Sequence, residues 1–87
     1  MVRGALARLL EASRAVHRAN HALSSLPAMR ERLRRPLAEL PDACDVHDAL
    51  SFLATARTLV ECSPEISTHQ RRIALSLLTA TERKLGG

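Results

Sequence analysis

Residues 41–61, PDACDVHDALSFLATARTLVE, decide the fold of this chain. No Gly or Pro interrupts residues 43–61, and the apolar side chains there recur at steps of three and four, which is the period of one helical face. Asp42 or Asp45 can cap the first turn, and Pro41 prevents an incoming helix from continuing into this one. The stretch therefore predicts one strong amphipathic helix from about Ala43 to Glu61. Its apolar face carries Val46, Leu50, Leu53, Ala56 and Val60, flanked by Phe52 and Leu59.

Helical spacing also marks the N-terminal third of the chain. Over about residues 2–25 the apolar residues follow steps of four and three. Beside them runs an alanine line whose small side chains would let another helix approach closely: Ala5, Ala12, Ala15, Ala19 and Ala22. Pro27 is tolerated only in the first turn of a helix, so we expect the first helix to be broken near this residue. Pro36 removes a backbone donor and is expected to bend or divide the segment that follows.

The end of the chain predicts a further helix. Ser63 as N-cap, Pro64 at the first helical position and Glu65 in the first turn form a start signal. The apolar stripe of this helix would hold Ile66, Ile73, Leu77 and Ala80, with Leu75, Leu78 and Leu85 beside it. The expected fold is all-α: a small helical bundle of three main helices around an antiparallel hairpin, in a single domain over residues 1–87.

Charge is distributed unevenly along the sequence. The chain has a formal net charge of +4, made of +6 over residues 1–35, −5 over residues 36–66 and +3 over residues 67–87. The two basic segments are complementary to the acidic one between them. We therefore expect many of these charges to pair with one another or to form solvated faces.

Two features bear on the compartment of the protein. No apolar run approaches the ~20 residues that span a bilayer, and residues 1–10 make a poor signal peptide because Arg8 interrupts a short apolar patch. Cys44 and Cys62 would lie about 27 Å apart if both belong to one helix, which is too far for a disulfide. These features favour a cytoplasmic protein with free thiols.

Four side chains could hold a metal ion. Cys44 and His47 lie three residues apart, and His17 and His21 lie four apart, so each pair falls on one helical face. Zinc could take two such pairs tetrahedrally. However, the paired-cysteine knuckle of structural zinc sites is missing, and so are the common catalytic motifs. We expect no enzyme activity and no cofactor, with these four residues as the only metal candidates.

A DNA-binding or regulatory protein is the second hypothesis. Residues 30–35, RERLRR, are dense in arginine, and a helix-turn-helix could be placed on residues 43–84 with the helix from Pro64 as its recognition helix. This interpretation has little support because Phe52 is the only aromatic residue and falls on an apolar face, so no ring is available to stack on bases. We expect no nucleic acid and no membrane among the partners.

The first hypothesis is a protein-interaction module. The sequence contains more apolar stripe than a two-helix hairpin can bury, which favours a homo-oligomer or a complex with another protein. The expected packing or partner-contact residues are Leu6, Leu9, Val16 and Leu23 on the first helix, and Leu50, Leu53, Leu59 and Val60 on the second.

A family resemblance agrees with this hypothesis. The stretch LRRPLAELPDACDVHDALSFLATARTLVECSPEI, within about residues 30–66, resembles the small helical-hairpin co-chaperones of type III secretion needle subunits, chiefly through the pattern FLxxARxLxE at residues 52–61. The resemblance implies a cytoplasmic protein that pairs with a tetratricopeptide-like chaperone and keeps a needle subunit soluble. Pro27, Pro36 and the final helix from Pro64 are additions to that hairpin pattern.

Overall fold

A computed structural model describes the backbone of residues 2–86 and the side chains of residues 7–86. Its helices are α1 (Val2–Leu23), α2 (Pro27–Arg32), α3 (Arg34–Ala38), α4 (Val46–Glu61) and α5 (Thr68–Lys84). Residues 2–86 contain no strand, so the predicted all-α bundle is confirmed. Over the same residues, none of the helices combines the length and the apolarity that a bilayer crossing requires. The principal extents are 45 × 23 × 17 Å.

The core is built on short side chains of α1 and α4. On α1, Ala12 and Ala19 are completely buried, and Val16 and Leu23 are buried beside them. Leu9 is half-buried at the edge of this face. On α4 the buried residues are Ala49, Phe52, Leu53, Ala56 and Val60. The internal face of α1 therefore includes Ala12 and Ala19 of the alanine line, whose small side chains let two helices approach closely.

The helices are interrupted shortly before each of the two expected prolines. α1 ends at Leu23, and Pro27 opens α2 at its first position. α2 ends at Arg32, and Pro36 lies inside α3, four residues beyond that end. Proline has no N–H, so residue 36 cannot donate to the carbonyl of Arg32, and the helix divides there. The two short helices bring Met29 and Leu33 into the core, where both are completely buried.

A capping box fixes the start of α4. The Asp45 side chain accepts a hydrogen bond from the Asp48 N–H at 2.8 Å, and the Asp48 side chain accepts one from the Asp45 N–H at 3.2 Å. This arrangement satisfies backbone donors that a helix start leaves free. Because Asp45 is in an extended conformation, the helix begins at Val46, three residues after the predicted start.

The predicted start of the last helix is wrong. α5 begins at Thr68 behind a second capping box, in which Ser67 accepts from the Gln70 N–H at 3.1 Å and Gln70 accepts from the Ser67 N–H at 3.3 Å. The hydroxyl of Ser63 is not available as a cap. It is completely buried, donates to the Leu59 carbonyl and accepts from Arg32.

The buried face of α5 also differs from the predicted stripe. Ala74, Leu78, Thr81 and Leu85 are buried, whereas Ile73 is 57% exposed. The steps of four, three and four residues between the buried positions are those of a helical face, but this face is rotated from the predicted one. Ile73 and Leu77 consequently lie at the edge that faces α1 and help line a pocket with it.

Arg71 closes the connection between α4 and α5. Its Nε donates to the Val60 carbonyl at 3.3 Å, and its Nη2 donates to the carbonyls of Ser63 at 2.7 Å and Ile66 at 3.1 Å. Carbonyls at the end of a helix have no partner within that helix. One half-buried guanidinium therefore gives a charged donor to a carbonyl in the last turn of α4 and to two carbonyls of the turn that follows it.

Replacement of this guanidinium is expected to destabilise the fold. Arg71→Ala should lower the free energy of unfolding by about 2 kcal/mol, because carbonyls in a partly buried turn lose a charged donor. Urea unfolding followed by circular dichroism measures the change. The neighbouring Arg72 is exposed, so Arg72→Ala should shift the free energy by no more than about 0.5 kcal/mol. Equal urea concentrations at the unfolding midpoint for the two variants would contradict this role of Arg71.

Candidate functional site

A groove follows the seam where α1 packs beside α5. Two pockets of about 250 and 300 Å³ lie along it, and their lining residues come within one turn of each other on both helices, at Arg18 and Ala22 and at Leu77 and Thr81. The first, which we call the apolar end, is lined by Ala22, Leu23, Ser25, Leu26, Gln70, Ile73, Ala74 and Leu77. The second, the basic end, is lined by Glu11, Arg14, Ala15, Arg18, Thr81, Lys84 and Leu85. We refer to the two together as the α1–α5 groove.

The apolar end exposes large aliphatic side chains. Ile73 is 57% exposed there, and Leu26 and Leu77 are half-buried beside it. Among the described side chains, Leu10 at 51% exposure is the other large hydrophobic residue open to solvent, and it does not line the groove. Ile73 thus belongs to a shaped apolar surface, whereas Leu10 is a single exposed residue of the kind common on soluble proteins.

The basic end carries three cations around a small apolar floor. Arg14 and Arg18 lie one turn apart on α1, and Lys84 stands opposite on α5. Within the described part of the chain, none of the three forms an ion pair. Glu11 is the one carboxylate in the lining. This end of the groove therefore has a positive potential that the described residues leave largely uncompensated.

Side chains of the arginine-rich stretch 30–35 contact carboxylates and a carbonyl of the chain, although Arg34 and Arg35 remain exposed. Arg32 lies 2.8 Å from Glu65, Arg34 lies 3.4 Å from Glu31, and Arg35 lies 4.0 Å from Glu39. The side chain of Arg30 donates to the Ser24 carbonyl at 3.3 Å. Nearby carboxylates offset the charge that suggested an anion-binding surface in this stretch.

Residues near the start of α5 are likewise committed to the fold. Gln70 belongs to the capping box, and Arg71 is held by three carbonyls. Phe52 is 3% exposed and lies in the core, so its ring cannot stack on a base. These contacts weaken the hypothesis of a helix-turn-helix with α5 as the recognition helix.

The metal candidates are only partly brought together. His17 and Cys44 line one pocket of about 180 Å³ between α1 and the segment before α4, and Asp42 lies in the same lining. His21 and His47 are exposed and do not line it. In residues 7–86 no set of three His, Cys, Asp or Glu side chains is placed to hold a metal ion.

The two cysteines have different surroundings. Cys44 is 7% exposed, and burial is the main reason why the pKa of its thiol is raised, with the carboxylates of Asp48 and Asp45 acting in the same direction. Cys62 is exposed at the end of α4. Both are free thiols. The environment of Cys44 therefore opposes the thiolate form that a nucleophile or metal ligand needs.

The eight expected packing or partner-contact residues divide into two groups. Val16, Leu23, Leu53 and Val60 are buried in the chain's own core, so a partner could reach them only if the helices separated. The half-buried residues are Leu9, Leu50 and Leu59. The side chain of Leu6 lies outside the described residues. Sequence reasoning missed Ile73 and Leu77 as groove residues because it assigned both to the internal stripe of the last helix.

No protein-family model, curated protein or solved structure matches this chain. A function must therefore be inferred from the geometry and charges of its own side chains. Every buried side-chain nitrogen or oxygen in the described residues has a hydrogen-bond partner. The α1–α5 groove, with its exposed aliphatic and cationic side chains, is the strongest candidate for a functional surface.

The contrast between the two cysteines predicts a difference in reactivity. Iodoacetamide should modify Cys62 at least about tenfold faster than Cys44, because the exposed thiol is accessible and the buried one stays protonated. Mass spectrometry of the folded protein over a time course gives both rates. In urea the difference should disappear. Equal rates in the folded protein would contradict the burial of Cys44.

The contact between Arg32 and Glu65 predicts a pH dependence of stability. The hydrogen bond from Arg32 holds the pKa of Glu65 below its ordinary value. The contribution of this contact to the free energy of unfolding is therefore fully present above the pKa of about 4.3 that Glu65 has in the unfolded chain. It is lost as the pH falls through the lower pKa that Glu65 has in the folded chain. Between about pH 7 and pH 3, Glu65→Gln should lose less stability than the wild type. Thermal melts of the two proteins across this range measure the difference, and equal losses of stability would contradict the role of this contact.

Proposed function

We propose that this chain is a non-catalytic protein-interaction module that binds a helix of a partner protein in the α1–α5 groove. The exposure of Ile73 within a shaped apolar surface carries the proposal. Helix-in-groove recognition uses such surfaces, because the apolar face of an amphipathic helix supplies side chains at the spacing of successive turns. Leu26 and Leu77 widen the apolar contact on the two sides of the groove.

The scaffold of the proposed site is an antiparallel hairpin of α4 and α5, on which α1 packs as the third main helix. Two contacts support this arrangement. Val60 at the end of α4 meets Arg71 near the start of α5, and the earlier Arg57 meets Thr79 at 3.0 Å and Glu82 at 2.8 Å, later in α5. Contacts between earlier residues of one helix and later residues of the next are expected when the two run in opposite directions.

The proposed partners are those of a type III secretion co-chaperone in the cytoplasm. The pattern FLxxARxLxE falls on α4, where Phe52, Leu53 and Ala56 are buried and Arg57 pairs with Glu82. These matching residues are therefore used to hold the bundle together. A tetratricopeptide-like chaperone, or a needle subunit, would have to bind another surface, and the α1–α5 groove is the surface with exposed aliphatic side chains.

Co-expression tests the proposal. The chain should co-elute from gel filtration with a needle subunit and its tetratricopeptide-like chaperone, and Ile73→Glu should abolish co-elution by placing a charge in the apolar end. Leu10→Glu is the matched control, since it changes an equally large exposed hydrophobic residue outside the groove. Circular dichroism should show both variants folded, because both side chains are more than half exposed.

Three results would overturn parts of the proposal. Elution of the wild type alone would remove the co-chaperone role. Equal loss of co-elution in both variants, or loss in Leu10→Glu alone, would remove the groove as the docking site. Light scattering on the isolated chain tests the alternative of two copies, because a dimer that Ile73→Glu converts to a monomer would assign the groove to self-association.

A further inference from the structure

We propose that the occupant of the α1–α5 groove is an acidic amphipathic helix of a partner protein, oriented with its carboxylates at the basic end. This inference rests on the proposed function and adds the chemical class and the direction of the partner segment. It follows from the length of the groove and from the different charge of its two ends.

The length of the groove fits a short helix. On α1 the lining runs from Glu11 to Ala22, which spans about 17 Å at the helical rise of ~1.5 Å per residue. Three turns of a second helix have about the same length. An occupant of about 11 or 12 residues would place about three apolar side chains along the floor of the groove. This floor runs from Leu26 and Ile73 at the apolar end to Leu85 at the basic end.

Charge fixes the composition and direction of this occupant. At the basic end, Arg14 and Arg18 stand on the α1 side and Lys84 on the α5 side, without an ion pair to any described residue. At the apolar end the polar lining residues are the neutral Ser25 and Gln70. Carboxylates placed at the basic end would meet three cations from both sides against one carboxylate, Glu11. The same carboxylates at the apolar end would lose water without gaining a charged partner.

The shape of the surface favours a protein helix over other polyanions. A nucleic acid would place phosphates and bases against an aliphatic floor that has no exposed aromatic ring in the described residues. A membrane would bind a broad convex face that inserts bulky side chains, whereas Ile73 and Leu77 lie in a concave seam between two helices. An amphipathic helix presents apolar and acidic side chains together, as the groove requires.

Three peptides test the proposal. Each is a hydrocarbon-stapled, fluorescein-labelled helix of about 14 residues with the same stripe of leucine and alanine. The peptides differ only in the residues that flank this stripe at one end, which are Glu in the first, Gln in the second and Lys in the third. Fluorescence anisotropy with the full chain measures their affinities. The Glu peptide should bind at least about tenfold more tightly than the Gln peptide, the Lys peptide should bind most weakly, and the Glu advantage should shrink as salt is added.

Two charge-matched double variants locate the effect. Arg14→Gln with Arg18→Gln should lower the affinity for the Glu peptide about tenfold and leave the Gln peptide unchanged. Arg72→Gln with Arg83→Gln removes the same charge from the outer face of α5, where both arginines line a different pocket, and should have little effect. All four side chains are exposed, so both variants should melt at the wild-type temperature.

The direction and the class of the occupant each have a separate test. A further peptide carries its Glu residues at the opposite end of the same stripe. It should bind in the reversed orientation, so its affinity should still depend on Arg14 and Arg18. A duplex of about 20 base pairs and vesicles with about 30% phosphatidylserine serve as probes of the other classes. The assignment to a protein helix would be overturned if either probe bound more tightly than the Glu peptide and lost this binding in the variant with Arg14→Gln and Arg18→Gln.

The outcomes separate this inference from the proposed function. Equal affinities for the Glu and Gln peptides, both abolished by Ile73→Glu, would retain helix docking in the groove and overturn the acidic occupant. No binding of any peptide, together with elution of the chain alone in the co-expression test, would overturn both. A stronger effect of the Arg72/Arg83 variant would move the acidic ligand to the outer face of α5.

Discussion

The close approach of α1 and α4 through alanine is the constraint on which the rest of this structure depends. Ala12 and Ala19 on α1, and Ala49 and Ala56 on α4, are all completely buried. Small side chains at a helix interface reduce the interaxial distance, so contact extends along the helices although few large residues are present. On α5, Leu78 is completely buried against this core, whereas Ile73 and Leu77 lie at its edge.

Helical periodicity predicted the class of fold because it depends on local spacing alone. The division of the chain at Pro27 and Pro36 was predictable for the same reason, since a missing N–H acts within one helical turn. The start of α5 was not predictable from local spacing. Both Ser63 and Ser67 satisfy the local rules for an N-cap, and the choice is made by distant contacts: Arg32 engages the Ser63 hydroxyl, and Arg71 holds its carbonyl.

The candidate site could be predicted only in part. The alanine line of α1 indicated that another helix would pack there, but the second side of the groove comes from residues about 50 or more positions later in the chain. Which of two neighbouring stripes on α5 faces inward depends on its packing against α1 and α4 together. Ile73 was therefore assigned to the core, although it is exposed. The dense run 30–35 drew attention by its composition, whereas Arg14 and Arg18 are separated in sequence by other residues.

Two sets of cations have different roles in this chain. Arg32, Arg57 and Arg71 hold the bundle together, because each donates to residues of another helix or of the turn before α5. Arg14, Arg18 and Lys84 surround a groove and have no ion pair within the described residues. Loss of a cation from the first set would remove a contact between elements, whereas loss from the second would remove no ion pair of the described residues. The charges that fold this chain are therefore separate from those available to a partner, and the net charge of +4 does not distinguish them.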